Sequence, residues 1–180
     1  MDDDRRGDRD RPRHDASEAD DNLSRYLNEH LLGSEGGLSA FGAAARTWAG
    51  TAHEAPLLAL QEEIDRDRRD LAALIQRLGF RPAGWKRLLT LAFRAVGQAN
   101  PINAFRLRRG SMAQLELDVL TGMVRAKLSM WDALLELAAD DRRFDVRMLE
   151  ALKLRAEQQI AELQRISLAT AHERFLPRGR

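Results

Sequence analysis

From Asn22 onward, apolar residues return every three or four positions, the period of a helix with one buried face. The first stripe is Leu23, Leu27, His30, Ser34, Leu38, Phe41, Ala45 and Trp48, and it predicts a helix over 22–49. A second stripe, Leu57, Leu60, Ile64, Leu71, Ile75 and Leu78, predicts a helix over 55–78. A third, from Leu117 through Leu120, Val124, Leu128, Trp131 and Leu135 to Ala138, predicts 111–139. The fourth, Leu149, Leu152, Ala156, Ile160, Leu163 and Ile166, predicts 145–174. Punctuation agrees with these bounds. Asp20, Asp21 or Asn22 can cap the first helix, and Pro56 suits a first turn because its missing N–H costs nothing there. Gly79 stops the second helix, Ser111 with Gln114 has the spacing of a capping box, Asp145 can cap the fourth helix and Pro177 ends it.

The stripes have interruptions. Gly33, Gly36, Gly37 and Gly42 lie inside the first helix, where each costs about 1 kcal/mol against Ala. The stripe keeps its phase across them. A continuous helix is therefore expected, with Gly33 and Gly37, one turn apart, admitting a close neighbouring helix. Midway along the second stripe an apolar residue is due, and Asp67 or Arg68 stands there. Lys127 sits at the edge of the third stripe, also midway.

Short turns join the first helix to the second and the third to the fourth, which makes two antiparallel hairpins. Between them lies a connection over 80–110. From Leu71 to Leu115 there is no Asp or Glu, while Arg77, Arg81, Lys86, Arg87, Arg94, Arg106, Arg108 and Arg109 alternate with Phe80, Trp85, Phe93 and Phe105. Within it, 82–98 reads as a short basic amphipathic helix: Lys86, Arg87, Thr90, Arg94 and Gln98 on one arc, Trp85, Leu88, Leu89, Ala92 and Val96 on the other. Helices of this length measure about 40 Å, which a connection of about thirty residues can span. The expected fold is all-α: a four-helix bundle of ferritin-like topology with one long crossover containing that helix.

Composition narrows the chemistry. The chain has 180 residues, 44% hydrophobic and 32% charged, enough for one domain with a real core. It has no cysteine, which removes disulfides, thiolate nucleophiles and thiolate metal ligands. A net charge of +1 provides no strong overall field. Residues 1–21 mix Asp and Arg with almost nothing apolar and are expected to be a disordered tail, with 176–180 a second short tail. No secretory signal and no membrane span can be read, so a cytoplasmic location is expected. No phosphate loop, dinucleotide fingerprint or catalytic triad is present.

Tyr26-Leu27-Asn28-Glu29-His30-Leu31, Leu115-Glu116-Leu117 and Arg155-Ala156-Glu157-Gln158-Gln159, with the long second connection, resemble small bacterial proteins of the ferritin-like four-helix type. Diiron members of that group carry a Glu on each of two helices and Glu-x-x-His on the other two. Here Glu63 is followed at that spacing by Arg66, Glu157 by Ile160, and His172 is preceded by Ala169. The likeness is therefore to members lacking those ligands. What remains of a metal site is an all-carboxylate set, Glu29, Glu63 and Glu116, which iron or manganese would occupy; acids on such helices more often face water, and no cofactor is expected.

His30, Asp67, Lys127 and Gln159 are expected to form a polar layer in the core, fixing register. A Lys of depressed pKa acting on a small ligand is the chemical alternative. Lys86, Arg87, Arg94, Arg106, Arg108 and Arg109 form the basic surface. The resulting expectation is a non-enzymatic bundle acting through a protein partner or as a homodimer. Its alternatives are a carboxylate-rich metal-binding or redox protein, and a peripheral protein that lies on anionic membrane through 82–98. Nucleic acid ranks below these, because the patch is small and no binding motif matches.

Overall fold

The computed structural model describes residues 7–82 and 111–176. Four helices account for almost all of them: α1 (Gly7–Thr47), α2 (Glu54–Arg77), α3 (Ser111–Leu137) and α4 (Val146–Phe175). The basic helix over 82–98 and the residues Lys86, Arg87, Arg94, Arg106, Arg108 and Arg109 lie outside the described residues. No helix among the described residues is long and apolar enough to cross a membrane.

α1 packs along α2, and α3 along α4. Thr47 near the end of α1 meets Glu116 near the start of α3, and Asp20 near the start of α1 meets Arg143 just after α3, so α1 and α3 are antiparallel. Glu63 bonds Gln159 and Asp70 bonds Arg155, so α2 and α4 are antiparallel too. The helix order is therefore up, down, down, up. α2 leaves the bundle at one end, and α3 enters at the other.

Three of the four helices end close to where the periodicity put them. α2 is stopped by Gly79 at φ +81°, a left-handed conformation that glycine adopts without strain. The Phe80 N–H bonds the Ile75 carbonyl at 3.0 Å and the Gly79 N–H bonds that of Gln76 at 3.0 Å, the paired bonds of a Schellman ending. Asp145 caps α4, its Oδ1 accepting from the Met148 N–H at 3.2 Å. The side chain of Ser111, expected to form a capping box with Gln114, lies outside the described residues. The Gln114 amide reaches across to the Ser167 hydroxyl on α4.

The first helix departs most from expectation. It begins at Gly7, not Asn22, so the segment expected to be disordered is helical from residue 7 onward. Pro12 within the extension supplies no N–H to the helix, so local propensity alone does not account for its helical form. The Arg143 guanidinium, 2.8 Å from Asp20, also ties the extension to the α3–α4 turn.

The core is a single cluster. Leu27, Phe41, Leu57, Ile75, Leu117, Leu120, Trp131, Leu134, Leu149, Leu163 and Ile166 are essentially removed from water. Each such aliphatic side chain contributes roughly 1.5–3 kcal/mol by burial. At the end where α1 stops, the Arg174 guanidinium lies 4.2 Å over the Trp48 ring and closes the cluster.

α1 runs unbroken through Gly33, Gly36 and Gly37. The expected close helix approach does not occur there: a Cβ added at any of the three would meet nothing within 4 Å. The tight position is Gly42, where a Cβ would come within 2.7 Å of the Gln61 amide nitrogen. These glycines separate two effects that helix propensity alone confuses. Gly33→Ala and Gly36→Ala should each raise stability by about 1 kcal/mol. Gly79→Ala should lower it by about 1–2 kcal/mol, because alanine resists positive φ. Urea unfolding midpoints measure both, and a loss at Gly33 and Gly36 would contradict the open space drawn here.

A buried ionic seam beside an open cavity

The two hairpins meet along two lines of different character. Between α2 and α4 the line is polar. Asp67 is 3% exposed and stands where the apolar stripe of α2 lapses. Its neighbour Arg68 turns outward to Asp65 at 2.9 Å and Glu35 at 3.1 Å. The Lys127 ammonium of α3 bonds Asp67 Oδ2 and donates to Gln159 Oε1 at 2.5 Å. From α4, the Gln159 amide nitrogen donates to Asp67 Oδ2 at 3.0 Å and to Glu63 at 3.1 Å. Arg155 Nε lies 2.7 Å from Asp67 Oδ1, but its N–H is not aligned with the oxygen. That contact is therefore one of charge rather than a hydrogen bond. The same guanidinium donates to Asp70 at 2.5 Å.

Gln159 suits this position because an amide presents an acceptor and a donor at once. It takes a hydrogen from the ammonium and gives hydrogens to two carboxylates. Burial pulls the Lys127 ammonium below its ordinary pKa, and the carboxylate of Asp67 opposes that pull.

α1 and α3 touch along part of their length and separate at one level. A cavity of about 430 Å³ lies there, floored by α2. Phe41, Ile64, Leu71, Val124, Met130 and Trp131 form its buried apolar walls. Tyr26, Glu29, Gly33, Met123 and Ala126 are exposed and form its mouth. Asp67 and Lys127 belong to both the seam and the cavity wall. The void exists because α1 presents Gly33, Ser34 and Gly37 towards α3 over this stretch, and no side chain there fills it.

The structure brings Asp67, Lys127 and Gln159 together. His30 is not among the hydrogen-bonded members of that layer. It lines the cavity, half-buried and edge-on to Tyr26 with ring centroids 4.7 Å apart, and burial lowers its pKa. His30 thus shares a cavity wall with Asp67 and Lys127 without bonding either of them. Glu29, Glu63 and Glu116 do not form the carboxylate set considered for a metal. Glu29 is at the cavity mouth and Glu63 bonds Gln159. Glu116 accepts from Thr47 at 3.5 Å, and burial raises its pKa. Among the described residues no three His, Asp or Glu side chains are placed to hold an ion.

Arg155 and the walls of the cavity went unrecognised in the sequence. Arg155 had a legible signal, since it precedes Gln159 by one helical turn and shares its face. The cavity had an ambiguous one: Gly33 and Gly37 suit a close helix contact and a void equally well.

Asp67 is the group on which the seam turns, and truncations should rank accordingly. Asp67→Ala leaves Lys127 and Arg155 facing each other in the interior and should cost about 3–5 kcal/mol. Lys127→Met leaves Asp67 with Gln159 and Arg155, and should cost less, about 1.5–3 kcal/mol. Asp67→Leu with Lys127→Met should recover much of the loss, since Arg155 keeps Asp70. Denaturant titration of the four proteins gives the order; a double variant weaker than Asp67→Ala would contradict the hub role. No protein-family model, no curated protein and no solved structure matches this chain.

Proposed function

We propose that the bundle binds a small, largely apolar molecule in the cavity between α1, α2 and α3 and holds it without transforming it. The observation that carries this is the space at Gly33 and Gly37. Alanine at either site would favour the helix by about 1 kcal/mol and would meet nothing. A local rule broken in favour of a void is expected where function requires the void. The cavity volume of about 430 Å³ falls within the range of small-molecule sites, and apolar walls with a few polar groups are their usual lining. The ionic seam supports holding over chemistry, because the Lys127 ammonium is tied to the Asp67 carboxylate and the Gln159 amide. In topology we read the molecule as a ferritin-like bundle, supported by its up-down-down-up helix order.

The neutral fluorophore N-phenyl-1-naphthylamine tests this. Its emission should rise and saturate at one molecule per chain. Gly33→Leu and Gly37→Leu, which send side chains into the void, should abolish the rise and leave the helical circular dichroism intact. Equal binding by the filled variants would place the dye elsewhere.

Self-association is a second function favoured by a specific feature. Met112, Leu115, Val119 and Met123 are between 39% and 52% exposed and form an uncharged stripe on α3, with the exposed Gly122 inside it. One stripe meeting its copy across a two-fold axis is self-complementary. Sedimentation velocity should show a dimer in the micromolar range that Val119→Glu dissociates, whereas a monomer at every concentration up to the millimolar would dismiss it.

A further inference from the structure

Met123 belongs to two features at once. It is exposed on the apolar stripe of α3, and it stands at the mouth of the cavity. Helical phase explains the overlap. Met112, Val119, Met123, Ala126 and Met130 fall on one arc of α3. The first four are exposed, whereas Met130 is buried in the cavity wall. The stripe is therefore continuous with the lining of the cavity. Glu116, at its edge, turns aside to Thr47 and leaves it uncharged. Whatever covers the stripe also covers the mouth.

The charges beside the stripe select what covers it. Asp118 and Arg125 are exposed, two turns apart on the same flank of α3, with Gly122 between them. A second copy lying parallel would set Asp118 against Asp118 and Arg125 against Arg125. An antiparallel copy, related by a two-fold axis beside Gly122, sets Asp118 of each chain against Arg125 of the other, twice. Gly122 carries no side chain to hold two helices apart at that point. In this register Val119 of the second copy falls between Met123 and Ala126, and its Leu115 falls between Ala126 and Met130. Resting on both readings above, we infer that two chains pair through antiparallel α3 helices centred beside Gly122, and that Leu115 and Val119 of each copy close the cavity mouth of the other. A molecule in the cavity then buries apolar surface against the second copy as well as the first. Ligand and dimer therefore strengthen each other.

Charge exchange tests the register. Asp118→Arg and Arg125→Asp should each weaken self-association about tenfold in sedimentation velocity, because each turns two attractions into two repulsions. Both exchanges in one chain should restore it, at unchanged net charge. Closure of the mouth is tested with N-phenyl-1-naphthylamine on the full chain. The dye should bind the dimer about fivefold more tightly than it binds Val119→Glu. Arg125→Asp, altered away from the mouth, should match Val119→Glu at concentrations where it is monomeric. Saturating dye should in turn tighten the dimer about 25-fold, one factor of about five for each of the two sites. Single charge variants that pair as well as the unaltered chain would overturn the antiparallel register. If the chain dimerises and binds the dye, but with equal affinity in the dimer and in both monomeric variants, the closure is overturned while both readings stand. A chain that binds the dye yet stays monomeric with and without it overturns the self-association reading and this inference together. A dimer that binds no dye overturns the cavity reading and, with it, the closure.

Discussion

A carboxylate almost sealed from water, on a helix of one hairpin, takes its counter-charges from the other hairpin. Asp67 belongs to α2, while Lys127, Arg155 and Gln159 belong to α3 and α4. Desolvating such a group costs several kcal/mol, and only the mutual attraction and the hydrogen bonds of the assembled seam offset it. If the hairpins slide by one turn, that compensation is lost. Hydrophobic packing would tolerate several registers between two striped hairpins; the seam tolerates one. This is how a feature that adds little net stability can still decide the arrangement.

The cavity follows from that arrangement. Within each hairpin, packing is extensive, and the hairpins touch chiefly along α1–α3 and at the α2–α4 seam. At the level of the cavity α1 offers the small residues Gly33, Ser34 and Gly37 towards α3, with Asp67 and Lys127 of the seam in the same wall. α3 cannot move inward to fill the space without disturbing Asp67–Lys127, since it carries Lys127. A void beside a rigid ionic contact therefore persists, where a void in a purely apolar core would partly collapse.

That linkage makes one end of α3 serve two purposes. Lys127 and Trp131 occupy successive turns of one face: the first engages the seam, the second borders open space. Precise placement of a few polar groups on a rigid scaffold, surrounded by carbon, is the usual physical basis of selective binding.

How much of this could be read before the fold was known differs from residue to residue. Three helices were legible to within about two residues at each end, because a buried face imposes its period on the chain, Gly79 ends α2 by its positive φ and Asp145 caps α4 with its side chain. Asp67 and Lys127 were legible as partners because each broke or edged a stripe at mid-length, and a charge in that position must be met by another. The start of α1 was not, because a charged extension carries no periodic signature whether coiled or helical. The separation of Glu29, Glu63 and Glu116 was not either, since helical phase gives the depth of a side chain but not the rotation of one helix against its neighbour. Gly33 and Gly37 mark the boundary most sharply. Local sequence determined that they are small and share a face. Only the packing of α1 against α2 and α3 decided that they border a hollow and not a contact.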